Sequence, residues 1–244
     1  MPVAIVTGGS RGLGEALVAG LLERGWSVVT DARDADALAA TTDHLRAASA
    51  GLHVGSTPGG APAGALMAVS GDVTDGDHRR ELVTAATALG PLGLVVNNAS
   101  GLGPSPLPSL AGYPLAALSE LFEVNVAAPL ALIQEALPAL RAARGVIVNI
   151  TSDAGVEGYP GWGGYGATKA ALDQVSRVLA AEEPEVAVYA IDPGDLRTQM
   201  HQDAFPGEDI SDRPLPATSV PGILAIVEQR PPSGRYQARE QVST

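Results

Sequence analysis

VAIVTGGSRGLGEALVAGLLERG, residues 3–25, is the stretch that decides how this chain folds. Val3-Ala4-Ile5-Val6 is a short apolar run, which reads as a strand buried on both faces of a parallel sheet. Residues 7–14 are rich in glycine, and residues 13–24 are helix formers closed by Gly25 as a C-terminal cap. A glycine run alone marks little more than a turn. Between a strand and a helix it becomes an anion cradle, because the backbone approaches a pyrophosphate closely and the helix N-terminus faces it. Gly8, Gly12 and Gly14 are the three spaced glycines that this geometry needs.

The same alternation continues outward. Residues 26–30 (WSVVT) predict a second strand ending at Asp31-Ala32-Arg33, and 35–48 predict a helix. Residues 51–64 (GLHVGSTPGGAPAG) form a Gly/Pro-rich excursion expected to be mobile surface. Further strands are expected at 66–69, 92–96, 146–150 and 186–191, with helices over about 76–89 and 115–143 and another beginning near Tyr165. A helix near 218–229 and a strand around 234–238 close the chain. The whole of 1–244 thus reads as one α/β domain, a Rossmann-type doubly wound parallel sheet with helices on both faces. Two segments stand out. Asn125, inside the apolar helix 115–143, is either a satisfied polar core residue or the amide that stabilises a helix irregularity, and Pro129 and Pro138 predict bends. Residues 195–217 are polar and proline-rich without periodicity, a length of loop that suggests a lid over substrate.

Composition narrows the function. At 244 residues with 45% hydrophobic and 17% charged side chains, the chain can bury a sizeable core. A net charge of −12 with no basic stripe opposes nucleic acid. The absence of cysteine excludes disulfides, thiolate metal sites and a cysteine nucleophile. His44, His53, His78 and His201 lack metal-ligand spacing, so no metal is expected. Residues 1–6 run into the glycine loop without a charged leader or long apolar stretch, which predicts a cytoplasmic protein with no membrane span.

Chemistry concentrates in 146–170, VIVNITSDAGVEGYPGWGGYGATKA. The strand 146–150 delivers Ser152 at its C-terminal end, and a helix carries Tyr165 and Lys169 four residues apart, hence side by side. A phenol with a pKa near 10 is a poor acid or base at neutrality, and an adjacent ammonium favours its phenolate. Ser152 can donate a hydrogen bond to a carbonyl or alkoxide oxygen. An ordinary surface pair is the plainer reading of Tyr-x-x-x-Lys. Against it, Lys169 is the single lysine of the chain, beside 14 arginines. An ammonium on a slim stem is therefore kept where arginine would not serve.

Taken together, TGGSRGLG at 7–14, Asp72-Val73, NNAS at 97–100, Asn125, Ser152, YGATK at 165–169 and DPG at 192–194 resemble the short-chain dehydrogenase/reductase family over about residues 3–199. The resemblance implies an NAD(P)-dependent oxidoreductase that interconverts a carbonyl and an alcohol by hydride transfer. It implies a catalytic tetrad of Asn125, Ser152, Tyr165 and Lys169. Tyr165 would be the acid/base, Ser152 would polarise the substrate oxygen, Lys169 would hold the nicotinamide ribose and lower the tyrosine pKa, and Asn125 would position a relay water. Cofactor contacts would come from Gly8, Ser10, Arg11, Gly12, Leu13 and Gly14 in the loop, and from Asp72 and Val73 at the adenine. Asn98 and Ala99 would lie near the adjacent ribose, and Pro193, Gly194 and Thr198 at the nicotinamide end. Ser100 stands where the family usually has glycine.

The end of the second strand bears on cofactor choice. An acidic residue there binds ribose hydroxyls of NAD, whereas arginine accommodates the 2′-phosphate of NADP. Counting seven residues from Gly25, the family's acidic position falls on Ala32, followed by Arg33, with Arg11 as a second cation. Asp31, one residue earlier, should point to the opposite face. The expectation is NADP(H), with NAD(H) open should the register slip by one. The substrate is expected to be a small carbonyl or alcohol, bound by Tyr113, Tyr159, Trp162, Met200 and Phe205. Helices 115–143 and 165–181 are apolar enough to suit the homodimer or homotetramer that the resemblance implies. A silent dinucleotide-binding regulator and a 3-oxoacyl reductase-like enzyme are the alternatives; the first should lack tetrad residues, and all four are present.

Overall fold

In the computed structural model, which describes residues 2–49 and 64–242, seven strands form one parallel sheet in the order β3-β2-β1-β4-β5-β6-β7. The strands are β1 Val3–Val6, β2 Ser27–Ala32, β3 Leu66–Ser70, β4 Leu92–Asn97, β5 Val146–Ile150, β6 Ala187–Asp192 and β7 Gly234–Gln237. β1, β4 and β5 are buried along their whole length, as continuous apolar runs in a parallel sheet must be. The chain winds outward from β1 to β3, returns to β4 and winds the other way. The strand order therefore reverses between β1 and β4, where a crevice opens at the carboxyl ends of the strands. The expected excursion at 51–64 lies, apart from Gly64, outside the described residues.

Two apolar layers sandwich the sheet. On one face α1 (Gly12–Glu23) and α8 (Val220–Gln229) set Leu17, Leu21, Ile223 and Leu224 against Val6, Val96 and Ile191. On the other, α3 (Gly76–Leu89), α5 (Ala128–Ala143) and α6 (Gly163–Glu182) set Leu82, Leu132, Ile133 and Leu179 against Ile5, Val95 and Ile147. α2 (Ala35–Ser49) flanks β2 and β3. The run 115–143 is long and apolar enough to cross a membrane by length and composition, with a mean hydropathy of 1.5 in its most apolar window. Here its C-terminal half packs its apolar stripe on the sheet.

Two helices match their expected places and one expectation is revised. The helix over 115–143 runs its expected length, with a π-helical turn at Glu123–Ala127 between α4 (Leu115–Phe122) and α5. Pro129 has no N–H to close on the carbonyl four residues back, that of Asn125, so the ladder widens there. The helix carrying Tyr165 begins near it as expected, at Gly163. Residues 195–217 are the revision: they are not structureless, because α7 (Gln199–Ala204) forms within them, capped by the Thr198 hydroxyl accepting from the His201 N–H at 3.2 Å. Six residues are too few for a periodic signal.

Candidate active site

The glycine loop is held by β2. Asp31 turns back toward it and accepts the Gly8 N–H at 2.7 Å, while the Asp31 carbonyl accepts from Gly9 at 2.9 Å. The other carboxylate oxygen meets His78 Nε2 of α3 at 2.9 Å. Gly8 and Gly12 adopt left-handed backbone, at φ 73° and 62°. A Cβ on Gly14 would lie 2.1 Å from the Gly8 carbonyl oxygen, so only glycine lets α1 start this close to the loop. Arg11, at the N-cap of α1, makes no side-chain capping bond, which leaves first-turn N–H groups of Gly12, Leu13 and Gly14 for an anion. The Ser10 carbonyl is tied to the Thr41 hydroxyl at 2.8 Å.

The other predicted dinucleotide residues converge on this loop. Asn98 donates through Nδ2 to the Thr7 carbonyl at 2.8 Å, and the backbone N–H groups of Asn98 and Ala99 both donate to the Thr7 hydroxyl at 3.0 Å. Thr198 reaches the far side of Gly12, its methyl 3.6 Å from where a Cβ would stand. Asp72 accepts from the N–H and the hydroxyl of Thr74 at 2.9 and 2.8 Å. Burial opposes its charge, but these two bonds, with Arg33 and His78 nearby, hold its carboxyl below the usual range. Val73 follows it on the same loop, half-buried. At the end of β2 Ala32 is half-buried and Arg33 exposed, so the two residues expected at the ribose stand at the rim of the crevice. The loop geometry, the open first turn of α1 and the Arg33 cation together fit a phosphorylated dinucleotide.

The four residues of the predicted tetrad lie across the ends of β4, β5 and α6. Asn125, in the π-turn, is 1% exposed and its amide is fully engaged. Its Oδ1 accepts from the Gly101 N–H at 2.8 Å and the Ser100 hydroxyl at 3.1 Å, and its Nδ2 donates to the Gly101 carbonyl and to Thr168 Oγ1. The Thr168 hydroxyl in turn donates to the Tyr165 carbonyl at 2.7 Å. Asn125 is a satisfied polar core residue, and the helix irregularity also lies at it, although its amide bonds go to loop 100–101 and Thr168. The Ser152 hydroxyl donates to Asp153 at 3.0 Å, and Asp153 also accepts from the Tyr159 hydroxyl. Lys169 is buried, donates to the Ile150 carbonyl at 2.8 Å, and lies 5.3 Å from the centre of the Tyr165 ring.

The electrostatics at Tyr165 run against the expectation that Lys169 lowers its pKa. Burial first, then the Asp192 and Asp153 carboxylates, push the phenol well above its ordinary value, with only the Ser100 hydroxyl pulling the other way. The ammonium faces the ring and the Ile150 carbonyl instead of the phenol oxygen, and burial lowers its own pKa to about 8, against the nearby Asp173 charge. Burial and the carboxylates thus favour the neutral phenol at Tyr165.

Above the tyrosine sits an apolar wall. Trp162 meets Tyr165 edge-on at 5.7 Å and Phe205 at 6.0 Å between ring centres, and Leu102, Leu107 and Met200 complete the cluster. Trp162, Met200 and Phe205 therefore come together as expected. Tyr113 does not join them: it is buried against Gly103 and Gly164. Tyr159 is 44% exposed, held at the rim by Asp153. Pro193 and Gly194 follow β6, with Gly194 at φ 78° and its N–H donated to Asp192 at 2.9 Å. Sequence reasoning named Asp192 only within the 192–194 motif and missed Asp173 and Arg235, which join it in a charged group beside Ser152. A paired arginine on the last strand carries no local signal.

The sequence pattern of the short chain dehydrogenase family matches residues 2–209. A rhamnolipid-biosynthesis 3-oxoacyl-[acyl-carrier-protein] reductase of Pseudomonas aeruginosa is 35% identical over 208 residues, covering 81% of this chain and 74% of its own. Mouse sepiapterin reductase is 33% identical over 210 residues, covering 82% and 76%. A short chain dehydrogenase from Escherichia coli CFT073, solved with NADPH, superposes with a TM-score of 0.85 at 26% identity, over 98% of this chain and 96% of that one.

Proposed function

The chain belongs to the short-chain dehydrogenase family and is an oxidoreductase acting on CH–OH groups; from that premise we propose that it is an NADP(H)-dependent carbonyl reductase or alcohol dehydrogenase with Tyr165 as its proton donor and acceptor. When bound, the nicotinamide would supply or accept the hydride. Gly8 to Gly14 and the first turn of α1 would hold its phosphates, and Asn98, Ala99, Pro193, Gly194 and Thr198 would contact the ribose and nicotinamide beyond them, a reading supported by the packing of Asn98, Ala99 and Thr198 on the glycine loop. Ser152 would turn its hydroxyl from Asp153 to the substrate oxygen, and Tyr165 would donate its proton to that oxygen as the carbonyl is reduced. Lys169 would hold the ribose and meet the charge left on the phenolate. Asn125 would act chiefly by fixing loop 100–101 against α6, with relay water as its further role.

The carrying observation is the buried Tyr165, with Lys169 one turn on and the Trp162–Phe205 wall against its ring. An apolar or aromatic ketone fits that wall best. An acyl carrier fits less well, because such carriers are acidic and this chain has a net charge of −12. The preference for NADP(H) over NAD(H) is supported at the end of β2: both oxygens of Asp31 are occupied, so no free carboxylate meets a ribose, and Arg33 is at hand for a 2′-phosphate. The test is Tyr165→Phe, assayed by NADPH depletion against a panel of aromatic and aliphatic ketones. Turnover should fall about 100-fold or more while NADPH binding persists. Near-normal turnover with the best ketone would overturn the reading.

A further inference from the structure

β7 is the last strand of the sheet, and Arg235 lies on it opposite Ala190 of β6. Its guanidinium reaches inward to three segments at once. Nε donates to Asp173 Oδ2 at 3.2 Å, and Nη2 donates to the Ser152 carbonyl at 3.1 Å and to Asp192 Oδ2 at 3.3 Å. Both carboxylates are buried, with side chains 3% and 7% exposed, against 20% for the arginine. Each partner belongs to a segment that carries a reacting or cofactor-facing group. Asp173 is one turn beyond Lys169 on α6, Ser152 is itself the polarising residue, and Asp192 precedes Pro193-Gly194 and fixes Gly194 through its N–H. We propose that Arg235 is a positioning residue, one that sets Ser152, the Tyr165–Lys169 face of α6 and the Asp192-Pro193-Gly194 turn in a common register for the carbonyl–alcohol reaction.

The planar fork is what permits this. A guanidinium presents five fixed donors and can hold three acceptors at set angles, whereas an ammonium is a single point of charge. The guanidinium is also the shared counter-charge for two buried carboxylates, of which Asp173 keeps one oxygen without a partner among the described residues. Without it, both would be left in a low-dielectric site, a costly arrangement. That charge reaches the reacting phenol. Tyr165 is faced by Asp192 from the end of β6, by Asp153 from the turn after β5, by Lys169 from its own helix and by the Ser100 hydroxyl from the loop after β4. Removing the Arg235 cation strengthens the carboxylate field and opposes phenolate formation. Removing the Asp192 charge does the reverse.

The inference rests on the Tyr165 reading above, so Tyr165→Phe is assayed in parallel. The experiment compares wild type, Arg235→Lys, Arg235→Met and Asp192→Asn, using the best ketone of the NADPH panel and its alcohol. The readouts are kcat, KM, the pH profile of alcohol oxidation, NADPH binding by fluorescence, and Tm. Arg235→Lys should keep Tm within a few degrees and NADPH affinity within about twofold, yet lower kcat about tenfold. Arg235→Met should lose more kcat and move the alcohol-oxidation profile toward alkaline pH, while Asp192→Asn should move it toward acid pH. These opposite shifts do not follow from loss of fold. Should Arg235→Met fail to fold, the kcat loss of Arg235→Lys and the shift of Asp192→Asn carry the test. Full kcat in Arg235→Lys with an unmoved profile in Asp192→Asn would overturn the proposal. If Tyr165→Phe is inactive in that case, the positioning role alone falls; if Tyr165→Phe is active, the reading beneath it falls.

Discussion

His78 Nε2 lies 2.9 Å from Asp31 Oδ2, a buried pair that ties α3 to the end of β2 and, through the other Asp31 oxygen, to the Gly8 N–H. One carboxylate thereby shapes the phosphate loop from beneath. The hydrogen bond to Asp31 raises the His78 pKa above its ordinary value, against burial, and the Asp31 charge adds to the rise. The protonated pair therefore contributes stability that is fully present below about pH 6.5 and is lost as pH climbs through the raised value. His78→Leu should lower stability by about 3 kcal/mol at pH 6, because a buried carboxylate loses its partner. The gap between wild type and variant, followed by chemical denaturation, should narrow toward pH 9. A constant gap across that range would show that the charge on His78 does not matter.

Cofactor choice should respond to Arg33 alone. A charge-assisted bond to a 2′-phosphate contributes about 1.5–3 kcal/mol, so Arg33→Ala should lose on the order of 10- to 100-fold in kcat/KM with NADPH. The value with NADH should change little. A wild type that prefers NADH, or a variant with unaltered NADPH kinetics, would rule this out.

Asn125→Ala should cost stability as well as activity. It would leave the Gly101 N–H and carbonyl and the Thr168 hydroxyl short of partners in a buried place. Two or more orphaned groups predict a loss of about 3 kcal/mol in denaturant unfolding. Unchanged stability with reduced turnover would instead assign Asn125 to the proton relay only.

Residues 195–216 should become more protected when the cofactor binds. The segment is anchored at α7, whose Asp203 carbonyl accepts from Ser105 at 2.6 Å, and just beyond it, where Phe205 packs on Trp162. Limited proteolysis within it should slow severalfold in saturating NADPH, with further slowing on adding the ketone. Equal cleavage rates in all three conditions would count against a lid.

Much of this was legible in the chain itself. The winding of the sheet follows from apolar runs alternating with helical ones, and the glycine loop from residues that only a strand–loop–helix turn requires. The adjacency of Tyr165 and Lys169 follows from helical pitch alone. Asn125, a polar residue in an apolar stripe, was legible as either a satisfied core residue or a helix irregularity, and the structure shows both. All of these depend on neighbours in sequence. What only the tertiary structure decided are matters of distant partners. Asp31 turns to Gly8 and to a histidine 47 residues away. The Tyr165 phenol is pushed up, not down, by burial and by carboxylates from β6 and the β5 turn, while the lysine on its own helix faces the ring and the Ile150 carbonyl. Arg235 gathers Ser152, Asp173 and Asp192 only once β7 has docked beside β6. Local periodicity specifies which face a side chain occupies, but the field and the partners it meets there come from segments that folding alone brings together.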